Sequence, residues 1–371
     1  MKITLVISSL SCGGAERVLV SMAQGFIQRG HNVTVVTLSE KDSDFYELPS
    51  ECTRIALGVL SSSTGLVAAL KSNTGRITAT REAVQSSTPD VVISFLRITN
   101  VTTILALLGT KYPLIVTEHN DARVFSYGTL WETLRKLTYP FCSCVVSVSQ
   151  GVDLGFASLP KHKRAVIYNP IMVNDNGQVD KLPSEVDPQK HWLVSMGRLT
   201  EQKGFDLLLQ AFAQIAPKYP DCNILILGRG ELREQLSKMR DDLNLSGQVF
   251  FTGALSNPFA VLKQAKIFVM ASRNEGFPMA HGEALACGLP VVCTDCPSGP
   301  SEMVRQDIDG LLVPNQDLEA LGVAMESLMS DELQRQRLAA RSPEVLERFG
   351  LDAIVAEWEN LIDQLITRGV N

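Results

Sequence analysis

Apolar residues in this chain fall into two alternating patterns. Short unbroken apolar runs give way to stretches in which apolar residues recur at helical spacing. The runs Ile3–Ser8, Val33–Leu38, Val91–Ser94, Leu114–Thr117 and Val145–Val148 predict strands covered on both faces, as in a parallel sheet. Between the first two, Val18, Leu19, Met22, Ala23, Phe26 and Ile27 share one helical face, and Gly30 closes the helix. Asn169-Pro170 and the polar stretch through Lys190 read as a linker, after which the pattern restarts. Trp192–Met196, Ile224–Leu227, Val249–Phe251, Ile267–Met270, Val291–Cys293 and Leu311–Val313 predict a second set of strands, with a helix over Phe205–Ala216 and helical segments from Asp317 onward. Strands alternating with helices imply parallel βαβ units. The 371 residues are enough for two cores. The expectation is an α/β protein of two doubly wound domains, 1–170 and 191–352, joined by a linker over 171–190, with a final helix over 353–371 packing back on the first domain. Such sheets bind ligands at their carboxyl ends, so a cleft between the domains is expected there.

The segment that narrows the chemistry runs from Ser272 to Pro290. Glu275 and Glu283 stand eight residues apart, the first on a loop and the second inside the helix that follows. Carboxylates accept pairs of hydroxyl hydrogen bonds, and a helix start favours phosphate, so a ligand carrying both suits this segment. A nucleotide sugar carries both. His281, inside the same helix, reads as structural.

Three strand-end loops add candidates. Ser11-Cys12-Gly13-Gly14-Ala15-Glu16-Arg17 joins the first strand to its helix without forming the G-x-G-x-x-G dinucleotide fingerprint. Gly197-Arg198-Leu199-Thr200-Glu201-Gln202-Lys203-Gly204 carries two cations suited to a diphosphate, and solvated loop charges explain it too. Thr117-Glu118-His119-Asn120 places a histidine at a strand end, where it either holds the structure or faces a ligand.

Charge and cysteine content refine the picture. The net charge of −6 is uneven: residues 1–170 hold 16 basic against 12 acidic side chains, and the remainder 18 against 28. A mildly basic first half suits an anionic partner, such as a phosphate-bearing acceptor or a lipid surface. Residues 123–139 mix Arg123, Arg135 and Lys136 with Phe125, Tyr127, Leu130, Trp131, Leu134, Leu137 and Tyr139, which fits a core-facing helix or a lipid-facing one, the former preferred. Residues 66–84, with Lys71, Arg76 and Arg81, have the same ambiguity. Eight cysteines include one lone C-x-x-C, Cys293 to Cys296, and read as buried reduced thiols of a cytosolic protein. No apolar run is long enough to span a bilayer.

Taken together, the Gly-Gly-Ala-Glu-Arg turn, the Thr-Glu-His-Asn strand end, the Gly-Arg-Leu…Lys-Gly loop and the E-x₇-E segment resemble the retaining, two-Rossmann (GT-B) glycosyltransferases of group 1. The resemblance spans essentially the whole chain. It implies two Rossmann-like domains facing across a cleft. It also implies that Arg198 and Lys203 hold the donor diphosphate, Glu275 contacts the transferred sugar, and Glu283 holds the ribose hydroxyls. The loop from Phe277 through Pro278, Met279 and Ala280 would meet the phosphates, with Gly14 against the donor and His119 near the reacting carbon. One departure is His281-Gly282, where the family usually carries bulky apolar residues. Asp295-Cys296-Pro297-Ser298-Gly299-Pro300-Ser301-Glu302 resembles a bacterial subgroup that builds surface polysaccharides and lipid-linked oligosaccharides from UDP-sugars.

The implied activity is transfer of a hexosyl or N-acetylhexosaminyl group from a UDP-sugar to a glycan or polyprenyl-diphosphate-linked acceptor, with retention. His119, Arg198, Lys203 and Glu275 are the expected catalytic group. No cofactor or metal is expected, because two cations and a helix start serve the diphosphate. The expected setting is cytoplasmic, at the inner face of the cell membrane, with peripheral contact to anionic lipid and no nucleic-acid partner. The rivals are a GT-B nucleotide-sugar epimerase and a non-catalytic nucleotide-sugar-binding protein.

Overall fold

The computed structural model describes residues 1–60, 66–173 and 190–369. The expected linker lies mostly outside these. Two compact units emerge: Met1–Pro170 with Leu351–Asn371, and Ile171–Gly350.

In the first unit, seven parallel strands line up in the order β3-β2-β1-β4-β5-β6-β7. They are β1 (Lys2–Ile7), β2 (Asn32–Thr37), β3 (Thr53–Ala56), β4 (Val91–Phe95), β5 (Leu114–Glu118), β6 (Cys144–Ser147) and β7 (Arg164–Val166). The unbroken apolar runs are buried on both faces: Leu5, Val6, Val35, Val36, Ile93, Ile115 and Val145 are all inaccessible to solvent. The strand order reverses between β1 and β4, the switch point where doubly wound sheets bind ligands. At that point Leu96, between β4 and the helix Arg97–Leu107, takes φ of 72°, a positive value a leucine adopts only under constraint.

The helix Leu351–Gly369 belongs to this unit and buries Ile354, Val355, Trp358 and Ile362. It lies against the helix Gly14–Gln28 so closely that a Cβ on Gly25 would stand 2.5 Å from Val355 Cγ2. Glu359 ties it to Arg29 at 3.2 Å and to His31 at 2.7 Å.

The second unit repeats the plan with six parallel strands, ordered β10-β9-β8-β11-β12-β13. These are β8 (His191–Met196), β9 (Cys222–Leu227), β10 (Val249–Gly253), β11 (Ile267–Met270), β12 (Val291–Asp295) and β13 (Gly310–Pro314). Here the switch point lies between β8 and β11. The helix Phe205–Ile215 packs Leu208, Leu209, Phe212 and Ile215 onto the sheet, as its spacing requires. All eight cysteines are free thiols, five of them buried.

Candidate functional site

The loops that leave β8 and β11 meet at the second unit's switch point, and glycines make the meeting possible. Gly204, at φ of 62°, lies so close to β11's end that a Cβ would stand 1.9 Å from Ala271 O. Gly228, at the end of β9, would likewise place a Cβ 1.9 Å from Gly197 O. Gly230 would strike Leu199 N at 2.6 Å. Backbone therefore packs on backbone across three strand ends, with no room for side chains.

This packing brings Lys203 onto Glu275. Lys203 Nζ donates to Glu275 Oε1 at 2.6 Å, and Ser272 Oγ donates to the same oxygen at 2.7 Å. The Lys203 stem runs over Gly197, where any Cβ would sit 3.4 Å from it. Burial opposes ionisation of Glu275, but the charge and hydrogen bond of Lys203, with the Ser272 hydroxyl, outweigh it. The carboxyl is held below its ordinary range. A cation and a carboxylate from motifs 72 residues apart thus share one buried point.

The loop carrying Glu275 is fastened by residues the motif reading did not single out. Arg273 makes a two-pronged ion pair with Asp206, at 2.8 and 2.6 Å, and donates to Glu201 O at 2.8 Å. Gln202 Nε2 donates to Asn274 O, Asn315 Nδ2 to Arg273 O, and Thr294 Oγ1 to Ser272 O. The signal was present as opposite charges flanking the two motifs, Asp206 after Gly204 and Arg273 before Glu275.

Beyond the loop, Pro278 starts the helix Met279–Ala286. Phe277 turns inward and meets Phe349 edge-on at 5.3 Å, so its ring belongs to the core. Met279 and Ala280 are partly exposed in the first turn. Glu283 is buried one turn further on, at 1% exposure against 6% for Glu275. The His281-Gly282 departure has a packing reason. A Cβ on Gly282 would stand 2.5 Å from Ile171 Cδ1 and 3.1 Å from Met303 Sδ. His281 is buried beside Phe268, and neither ring nitrogen has a hydrogen-bond partner among the described residues. Burial pushes its pKa down to about 4, so the ring is neutral at pH 7.

Arg198 sits on the same loop as Lys203 but is exposed, with no ion pair among the described residues. The structure therefore brings together Lys203 and Glu275, and leaves Arg198 extended into solvent.

In the first unit, Gly14 opens the helix Gly14–Gln28, and the Glu16 carboxylate folds back over Gly13, where a Cβ would lie 2.2 Å from Glu16 Oε2. His119 follows β5, with Nε2 3.0 Å from Thr117 Oγ1 and its ring stacked on Phe95 at 5.8 Å. Burial lowers its pKa to about 4. It borders a small cavity lined also by Met22, Phe95, Val148 and Trp358.

The chain carries two Asp-x-Asp triplets, the spacing typical of metal-bound diphosphates in other transferases. Asp44 is paired with Arg54 and Asp309 with Arg305, so one aspartate of each triplet already has a cation. Among the described residues, no group of three His, Cys, Asp or Glu is arranged to hold a metal.

Residues 180–345 match the family described as glycosyl transferases group 1, and residues 12–174 match glycosyltransferase family 4. The chain is 30% identical, over 98% of its length and 99% of the relative's, to the GalNAc-alpha-(1->4)-GalNAc-alpha-(1->3)-diNAcBac-PP-undecaprenol alpha-1,4-N-acetyl-D-galactosaminyltransferase of Campylobacter jejuni. It is 28% identical, over 90% of its length and 92% of the relative's, to a second enzyme of that organism, the N-acetylgalactosamine-N,N'-diacetylbacillosaminyl-diphospho-undecaprenol 4-alpha-N-acetylgalactosaminyltransferase. Among solved structures, sucrose-phosphate synthase from Thermosynechococcus elongatus superposes with a TM-score of 0.83 at 18% identity, covering 99% of this chain and 100% of that one. Anabaena HepE in complex with UDP gives 0.76 at 20% identity, covering 98% and 100%. These two structures speak to the GT-B fold.

Proposed function

The chain belongs to the group 1 glycosyltransferases and is an enzyme of glycan or lipid-linked oligosaccharide assembly, and on that premise we propose a donor, an acceptor and a stereochemical course. The donor is a UDP-sugar, N-acetylgalactosamine being favoured by the activities for which two relatives, matched over nearly their whole length, are named. The acceptor is a glycan carried on a polyprenyl diphosphate, met by a protein working at the cytoplasmic face of a membrane. The new bond keeps the donor's anomeric configuration.

One observation carries the reading: the Lys203–Glu275 pair at the β8/β11 switch point, 2.6 Å apart and largely shut from water. A diphosphate entering beside it takes Lys203 as counter-ion, which frees the Glu275 carboxylate to accept hydroxyl hydrogen bonds from the sugar. Arg198, extended into solvent, closes on the far phosphate, and the helix start at Met279 supplies backbone N–H groups. Glu283 holds the ribose. As the bond to the anomeric carbon breaks, negative charge grows on the departing UDP, and Lys203 and Arg198 stabilise it in place of a metal. The acceptor hydroxyl attacks from the side the diphosphate leaves, its proton passing to the leaving phosphate oxygen, which preserves configuration without a covalent intermediate. His119 of the first unit, neutral at pH 7, is assigned a role near the reacting carbon on the family resemblance alone.

Incubation with UDP-N-acetylgalactosamine and lipid-linked acceptor in EDTA tests metal independence and turnover together. Product formation equal to that with Mg²⁺ supports the reading. Activity absent in EDTA and restored by Mg²⁺ contradicts it.

A further inference from the structure

The histidine that follows β5 is held by a hydroxyl with only one proton to give. Thr117 and His119 stand two residues apart, so their side chains turn to the same face. Thr117 Oγ1 lies 3.1 Å from the carbonyl oxygen of Ser94 and 3.0 Å from Nε2 of His119. A carbonyl oxygen can only accept, so the hydroxyl donates to Ser94. Its lone pairs then face the imidazole, and Nε2 must carry the ring's proton. The opposite assignment, with the hydroxyl donating to a bare Nε2, would turn the lone pairs of Thr117 and Ser94 toward each other. That contact is closed to water, since Thr117 is 1% exposed and Ser94 is wholly buried. A ring turned over about its Cβ–Cγ bond would set a C–H against the hydroxyl and lose the hydrogen bond. The ring is neutral at pH 7, its pKa lowered by burial to about 4, so only one nitrogen bears a proton. Nδ1 therefore keeps its lone pair, and among the described residues it has no hydrogen-bond partner.

The strand end around this pair is gripped at each residue. Asn100 Nδ2 donates to Thr117 O at 2.8 Å. Arg97, wholly buried, holds the Glu118 carboxylate at 3.2 Å, and the Tyr139 hydroxyl donates to the same carboxylate. Phe95 stacks on the imidazole, with ring centroids 5.8 Å apart and planes 25° from parallel. A buried ion pair is a costly way to hold a strand, and it suits a place where a neighbouring group must stay put. We propose that Thr117 is a positioning residue: it fixes His119 as the Nε2–H tautomer, so that the ring offers a ligand its bare Nδ1. Such a ring accepts a hydrogen bond from a hydroxyl or an amide N–H. It offers nothing to the oxygens of a diphosphate ester, which carry no proton at neutral pH. The tautomer follows from the contacts of Thr117 alone, and its consequence for transfer rests on the role proposed above for His119. In that role the imidazole accepts from a hydroxyl of the sugar and takes no part in holding the diphosphate.

Imidazole-nitrogen NMR on the full chain, labelled in its histidines, reads the tautomer without turnover; the His119 signals are those lost in His119→Asn. In the wild type at pH 7, Nε2 is expected to carry the proton and Nδ1 to show the downfield position of a bare nitrogen. Thr117→Val keeps the side chain's shape and removes the hydroxyl. Its His119 signals should move toward an average of two tautomers. Its kcat with UDP-N-acetylgalactosamine should fall about tenfold, with KM for the donor changed less than about twofold. Thr117→Ser returns the hydroxyl and should restore both tautomer and kcat, which a packing defect alone would not allow. A wild-type His119 protonated on Nδ1 overturns the proposal. So does a Thr117→Val protein with the wild-type tautomer, or one with an altered tautomer and undiminished kcat. A Thr117→Ser protein as impaired as Thr117→Val overturns it as well. A wild type that shows the expected tautomer yet transfers no sugar supports the placing of the proton and contradicts the activity proposed above.

Discussion

Lys203 and Glu275 form one charge pair on which both stability and the proposed chemistry depend. Glu275 is nearly closed to solvent, so removing Lys203 strands a buried carboxylate. Lys203→Ala is expected to lower stability by about 3 kcal/mol in urea unfolding and kcat/KM about 100-fold or more. Glu275, held below its ordinary range, contributes stability above the unfolded carboxyl pKa that is lost as pH falls through the folded value. His281 acts over a different window. Its folded pKa of about 4 lies below the unfolded 6.5, so between those values the unfolded chain binds the extra proton and stability rises with pH. That difference amounts to about 3 kcal/mol. Replacing it by leucine removes a buried imidazole lacking hydrogen bonds. His281→Leu is expected to be about 1 kcal/mol more stable at pH 7, with a visibly flatter melting-temperature profile between pH 4 and 6.5; His119 leaves the residual slope.

At the scale of elements, the apolar runs announced the central strands because burial on both faces leaves no alternation to confuse. β3 and β7 went unread for the opposite reason. Arg164-Ala165-Val166 is half-buried throughout, Thr53–Ala56 nearly so, and neither forms an apolar run. Helical spacing showed that Leu130, Leu134 and Leu137 share a face, and the core-facing reading was preferred. The structure corrects it for Leu130 and Leu137, which are exposed while Leu134 is half-buried, because spacing fixes which residues lie together and says nothing of which way they point. Arg97, Glu118 and Glu132 decide that, and they are distant in sequence. Lys71 of the 66–84 segment has a side chain outside the described residues, whereas Arg76 and Arg81 donate to the carbonyls of Val59 and Leu108 within the helix Leu66–Ser87. The Gly-Arg-Leu…Lys-Gly loop and the E-x₇-E segment were legible as short spacings, whereas the Arg273–Asp206 clamp joins residues 67 apart, beyond the reach of any short spacing. Gly204→Ala tests the backbone packing that assembles them. A Cβ there meets a carbonyl in a left-handed conformation, and about 3 kcal/mol of stability should be lost, with a matching fall in melting temperature.

For the whole molecule, both ends of the chain lie in one unit, so the first unit is completed only when the last helix is made. Deleting residues after Gly350 uncovers the surface beneath Ile354, Val355, Trp358 and Ile362. Four buried side chains contribute about 6–12 kcal/mol, comparable with the entire stability of a domain. The truncated protein is expected to lose the first unit's cooperative unfolding transition by calorimetry. Among the described residues no helix is long and apolar enough to cross a membrane. The proposed donor site lies at the second unit's switch point, where Lys203 and Glu275 meet. The most direct measurement is the transfer of labelled sugar from UDP-N-acetylgalactosamine to a polyprenyl-diphosphate-linked glycan by wild type, Lys203→Ala and Glu275→Gln proteins. The wild type is expected to give a labelled, α-linked, organic-extractable product, and either variant about 100-fold less. Undiminished product from Lys203→Ala, or a donor altered without any acceptor, would contradict it.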